Sequence, residues 1–199
     1  MRIISGEYKG HKMEAPPGQA VRPTPEWVRE ALFNMLGGSL DGLVFADLFA
    51  GAGTVGLEAA SRGARKVVLV ESDPQALSFL RKNIQKLGCT DRCQIIARRV
   101  ETLSGGELDG ASVVFLDPPY RNHPDLPNLG RFLEQAHPAP VVVYQHGKGD
   151  TPPPGSVANE VDSGWRPAWI PPGMKTIEER RYGRSFLTIY AHEEEIPCP

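Results

Sequence analysis

Short runs rich in apolar residues alternate with helical segments through the middle of the chain. VVFL at 113–116 is apolar throughout, which predicts a strand that is buried on both faces. Between the runs, apolar residues recur at helical spacing, and Gly88 ends one such helix. The alternation predicts right-handed βαβ crossovers and an α/β fold with a doubly wound, mostly parallel sheet. The predicted strands are 43–49, 66–73, 92–98, 112–117 and 140–146, and the predicted helices are 51–64, 74–88 and 126–136.

The N-terminal region departs from this alternation. The first 22 residues predict a short hairpin that turns through 6–10. In the helix predicted next, Thr24 is the capping residue, Pro25 the first helical residue and Gly37 the stop signal. Its predicted apolar face consists of Trp27, Val28, Ala31, Leu32, Met35 and Leu36.

The C-terminal region also breaks the pattern. Proline and glycine in the segment 147–173 exclude long helices or strands there, and we assign no function to this segment. Two further strands, joined at Gly183, are expected to add an antiparallel hairpin to one edge of the sheet.

Composition and charge limit the class of protein. The 199 residues are 40% hydrophobic and 23% charged, as in ordinary globular domains, and no apolar run approaches the roughly 20 residues that cross a bilayer. A net charge of −2 argues against nucleic-acid binding by bulk charge alone, although both ends are locally basic. We expect a cytoplasmic protein with no membrane partner, because no signal-peptide stretch opens the sequence. The three cysteines, Cys89, Cys93 and Cys198, lack zinc-site spacing, so we expect reduced thiols and no metal.

A glycine-rich loop supplies the first candidate site. GAGTVG at 51–56 matches G-x-G-x-x-G and lies between a predicted strand and a predicted helix. Glu71 follows Gly51 by 20 residues and ends the next strand, where its carboxylate can accept hydrogen bonds from ribose hydroxyls. Both a dinucleotide such as NAD and S-adenosylmethionine fit this arrangement. Asp47 favours the second, because a carboxylate repels a pyrophosphate and suits a ligand with an ammonium and a sulfonium group.

The sequence DPPY at 117–120 supplies the second candidate site. Pro118 and Pro119 stop the strand, and the carboxyl ends of parallel strands share one edge, so Asp117 is expected to face the same crevice as the glycine loop. The Asp117 carboxylate and the Pro118 carbonyl could accept hydrogen bonds from a base amine and direct its lone pair at a methyl group. Tyr120 offers a ring on which a flipped base can stack, a contact worth about 1 to 3 kcal/mol. The predicted catalytic residues are Asp117, Pro118, Pro119 and Tyr120.

Together these stretches resemble class I S-adenosylmethionine-dependent methyltransferases and, within that class, the bacterial 16S rRNA guanine-N2 methyltransferases. The resemblance rests on RIISGEYKGHKMEAP, RPTPEWVREALFNML, DLFAGAGTVGLEAASRGA, VVLVESD, VVFLDPPY and RRYGRSFLTIY. It implies a seven-stranded Rossmann-like sheet with an antiparallel final strand. It also implies that S-adenosyl-L-methionine is the cofactor and that the methyl group goes to the N2 atom of a guanine in 16S rRNA, an activity of the guanine-966 type.

The resemblance further implies regions, partners and contact residues. The region 1–38 is expected to contact RNA and cover the cofactor, and 39–199 to form the catalytic domain. The expected partner is 16S rRNA in a small-subunit assembly particle, with ribosomal proteins alongside. The expected cofactor contacts are Asp47, Ala50, Gly51, Gly53, Thr54, Glu71, Ser72 and Val100, and the expected substrate contacts are Arg22, Arg29, Tyr120 and Arg181.

Two positions depart from the family pattern. Arg98-Arg99 stand where a small polar or acidic residue near the adenine is usual, so only the Val100 backbone is assigned to that contact. Gln145 replaces an acidic residue on the fifth strand and receives no role.

Other functions remain open at this point. DPPY also marks adenine-N6 methyltransferases that act on DNA or 23S rRNA. The glycine loop alone is compatible with an NAD oxidoreductase, or with a nucleotide-binding module that has no catalytic activity.

Overall fold

The computed structural model describes residues 1–16, 24–104, 106–118, 126–136, 140–147, 167, 169–183 and 185–192. The chain divides into two compact units, Met1–Arg99 and Val100–Pro199. The predicted boundary after residue 38 falls inside the first unit, and the proposed division of roles at that boundary stays a prediction.

The first unit carries a parallel three-stranded part of the sheet. Its strands are β1 (Val44–Asp47), β2 (Lys66–Val70) and β3 (Cys93–Ile96), and both β1 and β3 pair in parallel with β2. All four residues of β1 and the last four of β2 are buried, as the apolar runs predict.

Two helices of the first unit connect these strands. Helix α2 (Thr54–Ser61) joins β1 to β2, and all eight of its residues are buried, which suits its small and apolar sequence. Helix α3 (Pro74–Leu87) joins β2 to β3 with one buried face. The side chain of Asp73 caps α3 by accepting a hydrogen bond from the Ala76 amide at 2.7 Å. These connections confirm the predicted βαβ crossovers.

The N-terminal part of the first unit has a different form from the one predicted. The expected hairpin is reduced to a single antiparallel bridge between Arg2 and Lys12. Helix α1 spans Glu26–Met35, and Pro25 rather than Thr24 takes the N-cap position. The buried face of α1 is also rotated from the predicted stripe, because Arg29 and Phe33 are fully buried while Trp27 is 52% exposed.

The described residues of the second unit form four strands and one α-helix. Strand β4 (Val113–Leu116) and strand β5 (Val141–Gly147) are parallel, and α4 (Pro127–Gln135) lies between them in the chain. Strand β7 (Ser185–His192) lies between β5 and β6 (Met174–Tyr182) and is antiparallel to both. The antiparallel closing hairpin is thus confirmed.

The strand order is β3-β2-β1-β4-β5-β7-β6 in a seven-stranded sheet. This order, with one antiparallel strand inserted near an edge, confirms the predicted fold class. The Pro- and Gly-rich segment 147–173 lies largely outside the described residues.

Candidate functional site

The glycine loop leaves β1 at Asp47 and enters α2 at Thr54 through two left-handed residues. Gly51 has a φ of 56° and Gly53, the N-cap of α2, has a φ of 89°. Side chains with a Cβ atom rarely adopt such angles, so glycine suits both positions. The strand-to-helix turn that the motif predicted is therefore present.

The third glycine of the motif allows α2 to approach β2. A Cβ atom at Gly56 would lie 2.3 Å from Cδ2 of Leu69 and 3.2 Å from Cγ1 of Val67. The first contact is too short to form without movement of the helix or of the Leu69 side chain, and the second is tight. Packing alone therefore explains one glycine of the motif, and evidence for a ligand must come from other residues.

Asp47 is a buried residue of this turn. Its side chain is 1% exposed, and Oδ2 accepts a hydrogen bond from the Gly56 amide at 3.0 Å. The carboxylate therefore caps the start of α2 and fixes the loop against the end of β1. This local role does not require a ligand, and the expected contact between Asp47 and the cofactor stays a prediction.

Glu71 ties the glycine loop to the turn after β2. Its Oε2 atom accepts a hydrogen bond from the Gly51 amide at 2.8 Å, and Oε1 accepts from the amides of Ser72 and Asp73, each at 2.7 Å. These three donors orient the carboxylate at the carboxyl end of β2. A carboxylate offers about four acceptor positions, so the half-buried Glu71 can still accept a hydroxyl of a bound ribose.

The remaining cofactor candidates surround these two carboxylates or begin the second unit. Ala50 is buried and donates its amide to the Val70 carbonyl at 2.9 Å, Thr54 is buried in the first turn of α2, and Ser72 is exposed. Val100 is buried at the start of a short 3-10 turn, where its carbonyl accepts from the Leu103 amide at 3.1 Å. The expected adenine contact at Val100 stays a prediction.

Sequence reasoning missed Asn83, which contacts the glycine loop from α3. Its side chain is fully buried, and Nδ2 donates to the carbonyl oxygens of Ala52 and Glu14, each at 2.9 Å. Its Oδ1 accepts from the Glu14 amide at 2.9 Å. The available signal was its place on the apolar face of α3, three residues after Leu80, where an amide needs partners.

Two of the predicted catalytic residues can be located. Asp117 directly follows β4 and is half-buried, and Pro118 is buried beside it. Pro119 and Tyr120 lie outside the described residues. Strand β4 therefore ends directly before Asp117, close to the predicted position. The catalytic roles assigned to DPPY stay predictions.

The prediction that Arg29 contacts RNA at the protein surface is wrong. It is fully buried on α1, and its guanidinium donates to the carbonyl oxygens of Thr24 at 3.1 Å and Arg2 at 2.8 Å. Burial lowers the pKa of Arg29. Arg29 therefore joins the start of α1 to the N-terminal segment. Arg181 is exposed on β6, with Nε 3.0 Å from the Gly183 carbonyl, and Arg22 lies outside the described residues.

Neither a metal cluster nor a membrane helix is found in the described part of the chain. No group of three or more metal-ligating side chains occurs there. None of its helices has the length and apolar character that a bilayer crossing requires.

Comparison with known proteins gives a family match over most of the chain. The family described as Conserved hypothetical protein 95 matches residues 1–191. Three bacterial relatives are similar over 60% to 61% of this chain. YlbH of Bacillus subtilis, provisionally named an rRNA methyltransferase, is 39% identical over 124 residues, which cover 61% of this chain and 67% of that protein. Ribosomal RNA small subunit methyltransferase D is 36% identical in Haemophilus influenzae, with 60% and 64% covered, and 35% identical in Escherichia coli, with 61% of each covered.

Solved structures match over nearly the whole chain. The Escherichia coli protein yhhF, provisionally named a methyltransferase, gives a TM-score of 0.75 at 27% identity and covers 97% of this chain and 98% of its own. A hypothetical protein from Thermus thermophilus gives 0.67 at 30% identity, with 95% and 98% covered. By contrast, the sequence matches span only 61% to 67% of the three named relatives.

Proposed function

This chain belongs to the Conserved hypothetical protein 95 family, and on that premise we propose that it is an S-adenosylmethionine-dependent methyltransferase of small-subunit ribosomal RNA. The names of two relatives, which are 35% and 36% identical, specify a small-subunit rRNA methyltransferase. Those names identify no base. We add, as the family resemblance of the sequence implies, that the acceptor is the N2 amine of a guanine, of the guanine-966 type.

The observation that carries this proposal is the setting of Glu71. Ligands of open α/β sheets bind beyond the carboxyl ends of the strands, and Glu71 holds this position on β2 with its carboxylate fixed by three amides. A fixed acceptor beside a glycine loop suits the ribose of a nucleoside. Asp47 adds negative charge next to the same loop, which suits a cationic ligand and opposes a pyrophosphate. The described residues therefore fit S-adenosylmethionine better than NAD.

The bound cofactor would supply an electrophilic methyl group on a sulfonium. The part assigned to this chain is to orient an exocyclic amine, whose lone pair is weakened by delocalisation into the base. The Asp117 carboxylate and the Pro118 carbonyl would accept its two N–H groups and so direct the lone pair at the methyl carbon. As the N–C bond forms and the C–S bond breaks, the amine proton becomes acidic and can leave to Asp117 or to water, so no strong base is needed.

Charge supports a structured substrate rather than naked RNA. The net charge of −2 provides little non-specific attraction to phosphates. Basic side chains such as Arg181 are exposed locally, where they could meet a few phosphates of a folded particle. We therefore propose a small-subunit assembly particle, including ribosomal proteins, as the partner.

Methyl incorporation distinguishes this activity from its alternatives. Purified protein with labelled S-adenosylmethionine should label small ribosomal subunits from a strain that lacks the activity, and mass mapping should place the label on N2 of one guanine. Labelling of adenine N6 in plasmid DNA or in 23S rRNA instead would support the alternative methyltransferase. Calorimetric binding of NAD without binding of S-adenosylhomocysteine would contradict both.

A further inference from the structure

The side chain of Asn83, on α3, joins two distant segments at the glycine loop. Its amide makes three hydrogen bonds of 2.9 Å, two to Glu14 and one to the carbonyl of Ala52. Both protons of Nδ2 are thereby used, and Oδ1 accepts one proton. A side chain with 0% exposure that is satisfied in this way has one defined orientation.

The bond to Ala52 fixes a peptide group inside the predicted cofactor loop. The amide of the next residue, Gly53, donates to the Ala50 carbonyl at 2.8 Å. Both polar atoms of the 52–53 peptide are therefore held, the oxygen by α3 and the N–H by the loop itself. The amide of Gly51, two residues earlier, is held by Glu71 at 2.8 Å. The plane of each peptide in this left-handed turn decides where the loop meets a ligand.

The two bonds to Glu14 extend this control to the N-terminal segment. Both main-chain polar groups of Glu14 pair with the Asn83 side chain in the manner of a neighbouring strand. Asn83 therefore sets the position of the N-terminal segment relative to the glycine loop, although 69 residues separate Asn83 from Glu14.

We propose that Asn83 is a positioning residue for the cofactor, which holds the Gly51–Gly53 turn in its binding conformation and couples it to the N-terminal segment. The proposal rests on the proposed function, because the ligand of the loop is taken to be S-adenosylmethionine. Asn83 acts before the chemical step, so its loss weakens cofactor binding while the loaded enzyme turns over normally.

The principal test compares cofactor binding and turnover in Asn83→Ala. The KM for S-adenosylmethionine and the Kd for S-adenosylhomocysteine should rise by about tenfold, the factor that corresponds to about 1.4 kcal/mol, while kcat changes by less than about twofold. Gln85→Ala removes an exposed amide from the same helix, and Lys86→Ala removes the 3.7 Å ion pair with the Glu14 side chain; neither should move the Kd. An unchanged Kd in Asn83→Ala, with normal binding by the wild type, would overturn the proposal.

Two further variants separate positioning from simple loss of stability. Asn83→Asp keeps the shape and the acceptor but places an oxygen against the Ala52 carbonyl, so its Kd should be at least as weak as that of Asn83→Ala. A Kd closer to wild type would indicate packing and would contradict the proposal. Glu58→Gln weakens the attachment of the N-terminal segment at Ile4 and Ser5, away from the loop, and should lower the melting temperature without raising the Kd.

A measurement on the wild-type protein covers the case in which the variants do not fold. The side-chain amide resonance of Asn83 should shift when S-adenosylhomocysteine binds, whereas that of exposed Gln85 on the same helix should not. Binding without any shift at Asn83 would refute the positioning role. Absence of binding by the wild type would refute the proposed cofactor itself, and this outcome is distinct from failure of the inference.

Discussion

The carboxyl ends of β2 and β4 each present an acidic residue, but their surroundings differ. Glu71, in the first unit, accepts three amide hydrogen bonds, two of them from the residues that follow it. Asp117, in the second unit, is followed by Pro118 and Pro119, which have no amide proton to donate. Backbone amides therefore fix the carboxylate of Glu71, whereas the two residues after Asp117 cannot donate a hydrogen bond to its carboxylate. The difference suggests that the first unit sets cofactor affinity and that Asp117 sets turnover.

The largest expected effect is on turnover in Asp117→Ala. Without the carboxylate the target amine is misplaced, and kcat should fall by at least about 100-fold, while the Kd for S-adenosylhomocysteine stays within about twofold. Single-turnover methylation and calorimetry measure the two quantities separately. Asp109→Ala removes an exposed acid of the same unit and should behave as wild type. Wild-type turnover in Asp117→Ala would contradict the role of Asp117 in orienting the target amine.

Glu71→Gln should have the opposite effect, a weaker affinity for the cofactor with a nearly unchanged kcat. An amide nitrogen at this position must face at least one backbone donor, so the Kd for S-adenosylhomocysteine should rise by about tenfold while kcat at saturating cofactor changes little. Glu134→Gln is the matched control, since Glu134 is exposed on α4 and has no assigned role. A large fall in kcat with an unchanged Kd would contradict the assignment of Glu71 to cofactor affinity.

Gly56→Ala tests the packing beneath the first site. The added methyl would lie 2.3 Å from Leu69, so the free energy of unfolding should fall by about 1 to 3 kcal/mol, as measured by urea denaturation. The same methyl at Gly106, in the second unit, has no neighbour closer than 3.9 Å and should cost less. Equal stability of the two variants would show that α2 or the Leu69 side chain can move to accommodate the added methyl group.

The smallest effect is expected for Arg181→Ala. Loss of one exposed cation should raise the KM for small-subunit particles by about two- to threefold and reduce the salt dependence of binding by about one phosphate contact, with cofactor affinity unchanged. Arg131→Ala, at an exposed position on α4, serves as the control. Identical salt dependence in the two variants would remove Arg181 from the RNA surface.

Local pattern in the sequence was sufficient for most of the fold. Apolar runs located β1, β2, β4 and β5, and the glycine motif located the turn before α2. The family match over residues 1–191, together with the small-subunit rRNA methyltransferases among the relatives, confirms the predicted resemblance to a bacterial 16S rRNA methyltransferase family. The acid at the end of β2 was also identified from spacing alone, because a parallel sheet brings strand ends to one edge.

What the sequence did not reveal depends on partners that are distant along the chain. Arg29 was expected at the surface, yet it is buried, and its two terminal guanidinium nitrogens donate to the carbonyl oxygens of Thr24 and Arg2. Glu58 is fully buried and accepts from the amides of Ile4 and Ser5, more than 50 residues away. Residue type at helical spacing cannot report such main-chain partners, so charged side chains on these helices were assigned to the wrong face or overlooked.

The position of β7 between β5 and β6 has a consequence for synthesis of the protein. Within the described residues, β6 pairs only with β7, which is made after it. During translation β6 therefore has no place in the sheet until the last strand emerges, and β5 keeps an open edge until then. A nascent chain halted before Ser185 would expose that edge to other chains, so completion of this unit is expected only after the ribosome has finished β7.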